Sequence, residues 1–205
     1  MSKMIKTLIG LAVLVGLLTL IPKLTFWKTP KAVSGISAPT YSKVSGQETL
    51  DVDGMKITLD KKYDYEACGI VRMIRKYDSK QPINQIFPVD MCLVWGSAAE
   101  NNDKIDYEWM FIGNEVMWSI SEKRGLEETI DLDAAVEDSV YINIIPRDDM
   151  IHSQLKKVKM NDYVCVKGYL VDVNLPAGVD PEANKYLTRV NDSPLLYVTG
   201  VEWME

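Results

Sequence analysis

The sequence predicts a mainly β protein: an OB-like, β-barrel-type extracytoplasmic domain with a short helix, preceded by one N-terminal transmembrane helix. Three observations carry that prediction. Residues 7–21, "TLIGLAVLVGLLTLI", hold no charge and only two hydroxyls. From Glu48 onward, short apolar runs alternate with polar residues at period two and are broken by Asp-Gly, Gly-Asn and Pro/Gly turns. In the run Tyr163–Val173, Gly168 supplies the interior glycine that lets one strand bend across two sheets of a small barrel.

The first element is the apolar segment. Thr7 to Trp27 is 21 residues, or ~30 Å of helix, enough to cross a bilayer. Phe26 and Trp27 then sit at interfacial depth and Lys23 snorkels. A cleaved signal peptide and a buried core helix are the alternatives. Cleavage needs a small-x-small site just after the apolar run, and "PKLTFWKTPK" stands there instead, with Ala32-Val33-Ser34 too far downstream. Residues 1–27 are therefore expected to be an uncleaved anchor. Lys3 and Lys6 precede it and Lys23, Lys28 and Lys31 follow, so the positive-inside count is nearly balanced. The short lysine-bearing start favours an inner (cytoplasmic) membrane, single-pass protein with its amino terminus inside and its C-terminal domain periplasmic. Residues 28–47, rich in Ser, Pro, Gly and Thr, read as a flexible linker. Residues 48–205 are the β-rich domain.

Charge excludes some functions. From residue 32 onward the chain holds all 29 acidic residues and 18 of the 23 basic ones, a net −11. Nucleic-acid binding rests on clustered Lys and Arg that release counterions, so no nucleic-acid partner is expected.

Within the domain, Leu50 and Val52 alternate before Asp53-Gly54, and Met55, Ile57 and Leu59 alternate after it, which predicts a tight hairpin. "YDYEACGIVRMIRKYD" (63–78) is a β-type run whose Gly69 marks a bulge or a close backbone approach. A loop with Pro82 and Pro88 leads to the apolar strand "VDMCLVWG". Two aromatic strands then flank Gly113-Asn114, with Trp109 and Trp118 as a cross-strand pair. Glu122–Ser139 carries seven carboxylates and reads as a solvated loop or an acidic docking face. After the strand "SVYINII", Asp148 is placed to cap a short helix bearing Met150, Ile151, Leu155 and Val158. Asn161-Asp162 turns the chain into Tyr163–Val173, and "YLTRV" and "LLYVTGVEW" finish the domain.

Catalytic chemistry finds little support. The single histidine, His152, lies on the short helix with no nucleophile elbow near it. Asp148 and Asp149 after Pro146 are ordinary helix-start chemistry. No phosphate loop, metal-ligand spacing or Cys-x-x-Cys pair occurs, so neither a cofactor nor a metal is expected. Cys68, Cys92 and Cys165 leave at least one thiol unpaired; buried free thiols are the simplest reading, and an oxidising compartment permits one disulfide whose pair the sequence does not choose.

"VDMCLVWG" (89–96), "NIIPRDD" (143–149), "LKKVKMNDYVCVKGYLVDV" (155–173) and "YLTRVND" (186–192) follow one another in an order that resembles an uncharacterised family of bacterial membrane-anchored proteins. The resemblance covers about Tyr63 to Trp203. The chain departs from it at Asn143, where the family often has His, and at "SPLLYV" (193–198), where it has a Gly-Ala-Cys-Glu run. The disulfide from Cys92 to a late cysteine that the family implies is thus not available here. The resemblance bears on location and fold more than on activity.

The functional expectation is a non-enzymatic interaction or assembly module of a cell-envelope complex with a protein partner. The alternative is a membrane-tethered binder or hydrolase of a small envelope ligand. The candidate ligand or partner surface comprises Trp109, Trp118, Glu127, Glu128, Asp131 and Asp133.

Overall fold

The computed structural model describes residues 29–52, 54–77, 82–112, 115–125, 130–174 and 193–205. The expected anchor (1–27), the Gly113-Asn114 turn, Glu127, Glu128 and the segment "YLTRV" lie outside them. Among the described residues no helix is long and apolar enough to cross a membrane.

The architecture is mainly β with a few short helices. Strands β1 (Thr40–Val52) and β2 (Met55–Lys76) form the expected hairpin. Val52 pairs directly with Met55, Gly54 takes φ +83°, and the Asp51 carboxylate accepts from its N–H at 2.9 Å. Then come β3 (Val89–Val94), β6 (Ser139–Pro146), β7 (Tyr163–Asn174) and β8 (Leu195–Trp203). Their pairings run β1-β2-β3-β6-β8-β7, and β7 returns to β2. Five strands (β2, β3, β6, β8, β7) therefore close into a ring, antiparallel throughout except where β6 meets β8. β2 serves both ends of this ring because it is 22 residues long. Its first half pairs with β1 and its last turns to β3, while β7 runs along the other edge.

Alternation along the ring strands fills the interior of the ring and packs its outer faces. Val71, Met91, Leu93, Ile142, Ile144, Val164, Val166, Leu196 and Val198 pack inside, closed at one end by Ile151, Leu155 and Val158. The other faces of β6, β7 and β8 present Ile145, Val171, Leu195 and Tyr197 to Ile57, Leu59, Ile86 and Phe87. Two glycines permit the tight closure. A Cβ on Gly168 would lie 1.9 Å from the Tyr197 carbonyl oxygen, beside a bulge in the β7–β8 ladder. One on Gly69 would lie 2.7 Å from the Val94 carbonyl. Both glycines thus mark close backbone approaches.

Helices α1 (Pro82–Ile86), α2 (Gly96–Glu100), α3 (Leu132–Glu137) and α4 (Asp149–Leu155) are short. The α4 cap is as expected: Asp148 accepts from the Ile151 N–H at 2.9 Å. A separate two-stranded sheet, β4 (Ile105–Ile112) with β5 (Glu115–Glu122), lies over the outer face of β2, β3 and β6.

Several expectations are corrected. Residues 29–47 are not a free spacer: β1 starts at Thr40, and Val33 and Ile36 bond to the α2 region through Val33 N–H to Ala99 O and Gly96 N–H to Ile36 O. The small side chains of that segment suit close packing along a neighbour as well as they suit solvent. The 122–139 stretch is not only loop, since α3 occupies 132–137 and Asp138 caps α2 by accepting from the Ser97 N–H at 2.7 Å. The cysteines are not all free: Cys68 and Cys165, directly opposed on β2 and β7, form a disulfide, and Cys92 is the buried free thiol.

Candidate functional site

A β-bulge on β2 builds the most distinctive side-chain cluster. Two arginines three residues apart on a regular strand point to opposite faces. Here Val71 pairs with Leu93 and Met73 with Cys92, so Arg72 is the extra residue and the alternation resets. Arg72, Met73 and Arg75 all reach the outer face. The turn before β7 holds the bulge in place: the Val71 N–H donates to Asp162 O, and the Asn161 N–H donates to Val71 O, each at 2.8 Å. Asn161 adopts φ +63°, and its side-chain oxygen accepts from Arg72 Nη1 at 2.7 Å.

Hairpin β4–β5 covers these guanidinium groups with rings. Arg72 lies 4.4 Å from the Tyr107 ring centre, and Arg75 is 4.6 Å from Tyr77 and 4.7 Å from Phe111. Cation–π contacts of this kind contribute about 0.5–2 kcal/mol each. Trp109 stacks on its cross-strand partner Trp118 at 5.6 Å and on Tyr107 at 6.3 Å. Between hairpin and barrel a cleft of about 350 Å³ remains, lined by Arg72, Met73, Arg75, Trp109, Phe111 and Met160 among others. Among the described residues no carboxylate lines it. Arg72 Nε, Arg75 Nη1 and Trp109 Nε1 are buried without a hydrogen-bond partner among the described residues. Burial is the main cause that holds the Arg72 guanidinium below its ordinary value.

Beside Arg75 on the same face, Asp90 pairs across strands with Arg75 and Asn143. Its carboxylate accepts from the Tyr77 and Tyr141 hydroxyls, the latter at 2.6 Å. Burial lifts the Asp90 carboxyl above the usual range despite those two bonds, which oppose the rise.

The expected site residues are only partly brought together. Trp109 and Trp118 do pair, and Trp109 faces arginines rather than carboxylates. Asp131 and Asp133 are exposed on α3, and Asp131 is spent as its N-cap, accepting from the Ala134 N–H at 3.0 Å. Sequence reasoning missed Arg72 and Arg75; "VRMIR" shows two cations three apart, but only the bulge puts them on one face.

A larger cleft of about 680 Å³ lies between the end of β1, α1 and the start of α4. It contains His152, whose imidazole is held below its ordinary value first by burial and then by Lys156. Asp148 is committed to the α4 cap and to Arg147 Nε at 2.9 Å. Among the described lining residues there is no serine or cysteine, and Thr49 is the one aliphatic hydroxyl. Glu66, Cys68 and Cys165 also converge, but the two sulfurs are bonded to each other, which removes the thiolates a metal would need.

What the cleft behind the hairpin offers is binding chemistry: cations, ring faces and buried donors without a hydrogen-bond partner among the described residues. No protein-family model, curated protein or solved structure matches the chain.

Proposed function

We propose that the chain is a non-catalytic binding module of the cell envelope: an OB-like barrel, held outside the cytoplasm by its N-terminal apolar segment, that docks a protein partner through hairpin β4–β5. The observation that carries this reading is the far end of the hairpin's outer face. Alternation directs Tyr107, Trp109 and Phe111 toward the barrel and Met110, Ile112 and Met117 away from it. Those three are 56%, 55% and 50% exposed, and Met110 and Met117 are directly paired. Adjoining exposed apolar side chains on a projecting element mark interaction surfaces, and methionine adapts to a partner's contours. Nearer the hairpin root the same face turns polar, with Asp106, Glu108, Ser119 and Ser121, as an interface rim does.

Two further features support the reading. The ring order, with its single parallel closure and α4 between β6 and β7, suits an OB-like barrel, a fold that binds ligands on its faces and loops. The Cys68–Cys165 disulfide suits an oxidising compartment.

The test is co-purification. The full-length chain, extracted from its own membranes in a maltoside detergent, is expected to carry a stoichiometric protein partner. Met110→Lys with Met117→Glu, opposite charges on directly paired positions, should abolish that complex while shifting Tm by no more than ~2 °C, as exposed substitutions do. A partner retained by the double variant, or a chain that purifies alone and unaltered, contradicts the proposal.

A further inference from the structure

The cleft behind the hairpin has a chemistry of its own. We infer that it is a binding site for an organic carboxylate carried on an apolar or aromatic group. The inference deepens the binding reading above and rests on it.

The positive charge of the cleft is fixed by the fold. Arg72 is only 6% exposed, yet its one hydrogen bond among the described residues goes to a neutral amide oxygen, Asn161 Oδ1. Neither Arg72 nor Arg75 has a carboxylate within ion-pair distance among the described residues. A buried guanidinium without a counter-ion is costly, and a buried donor left unpaired costs about 1–3 kcal/mol. Arg72, Arg75 and Trp109, which all line this one cleft, each carry such a buried donor. Asp90 beside Arg75 and Asp106 near Arg72 act on these cations only from beyond ion-pair distance, and the Asp90 carboxylate is held by the Tyr77 and Tyr141 hydroxyls.

An oxyanion supplies what these groups lack. Its oxygens accept from the guanidinium N–H groups, which favour the planar fork of a carboxylate. Arg75 is partly exposed, and rotation of its terminal torsions turns its unpaired Nη1 into the cleft. The remaining walls choose between oxyanions. Met73, Met160, Phe111 and the face of Trp109 are apolar and favour a ligand with an apolar body. A phosphate near −2 would leave most of its hydration unreplaced against such walls. A volume of about 350 Å³ suits a single ring or side chain with its carboxylate. Two sources share that chemistry: a free small acid, and the terminal carboxylate of a peptide ending in an apolar residue.

The experiment follows the indole N–H resonance of Trp109 in the full-length chain in maltoside micelles, assigned by its loss in Trp109→Phe. Phenylacetate, the tripeptide Gly-Gly-Phe and inorganic phosphate are titrated separately, with phenylacetamide and Gly-Gly-Phe-amide as uncharged controls. A saturable shift with phenylacetate or the free-acid tripeptide, at least tenfold weaker with the matching amide, supports the inference, and the stronger acid identifies the source. In Arg75→Gln the affinity should fall at least tenfold, with recovery in Arg75→Lys, which keeps a cation over Tyr77 and Phe111, and with both variants still folded at the titration temperature. Equal shifts with acid and amide, a response to phosphate alone, or no saturable shift with any probe overturns it. Loss of the partner in the hairpin-tip variant alongside an unresponsive Trp109 would remove this inference and leave the docking proposal standing.

Discussion

Replacing Cys68 and Cys165 together by alanine should destabilise the domain by about 3 kcal/mol. The bridge spans a sequence separation of 97, for which the chain-entropy model gives about 4.7 kcal/mol. Two effects reduce that ceiling. The unfolded chain retains some structure, and measured losses centre on about 2–4 kcal/mol. The native ladder also survives the substitution, because β2 and β7 remain paired on both sides, from Thr58–Asn174 to Ile70–Tyr163. At ~2–4 °C per kcal/mol for a domain of this size, the loss corresponds to a fall of ~6–12 °C in Tm. Urea denaturation of the oxidised wild type, the reduced wild type and the double variant provides the assay. The reduced protein and the variant should unfold at similar, lower urea concentrations. Identical midpoints for all three would refute the reasoning and remove the support that the disulfide lends to an oxidising compartment.

Three other predictions follow from single sites. Gly168→Ala should cost about 3 kcal/mol or prevent folding, because its Cβ meets the Tyr197 carbonyl oxygen at 1.9 Å; a variant within 0.5 kcal/mol of wild type in urea would contradict the close approach. Asp90 has a folded-state carboxyl value raised above 3.8, so its contribution to stability is present below that value and is lost as pH rises through the folded one. Asp90→Asn should therefore be at least as stable as wild type at neutral pH, with a margin that shrinks on acidification; urea midpoints across pH check this, and a margin that grows as pH falls contradicts it. Burial pushes the Cys92 thiol up to about 12, so a thiol reagent should find no reactive group in the native oxidised chain and one after denaturation.

Much of the fold was legible because it is written in local chemistry. Asp53-Gly54 between alternating runs gave the β1–β2 hairpin, Trp109 and Trp118 emerged as a cross-strand pair, and Asp148 capped α4. Gly69 was readable as a bulge or close approach and Gly168 as a bend, and the structure shows a close backbone approach at both. The site was less legible. Arg72 and Arg75 share a face only because of a bulge, and that bulge is held by Asn161 and Asp162, some 90 residues downstream. The Tyr77–Asp90–Tyr141 cluster likewise joins three segments that only strand pairing makes neighbours. Residues 29–39 looked like linker because small polar side chains carry no periodic pattern. Their order comes from backbone hydrogen bonds to α2, which composition does not encode.

The central claim is that the outer face of hairpin β4–β5 is the docking surface. Its most direct test places a photo-crosslinking amino acid at Met117 and, as a control, at Tyr41, which is 70% exposed on β1. Irradiation of whole cells making the full-length chain should give one dominant protein adduct from position 117 and none from position 41. Adducts of equal yield from both positions, or from position 41 alone, would contradict the account.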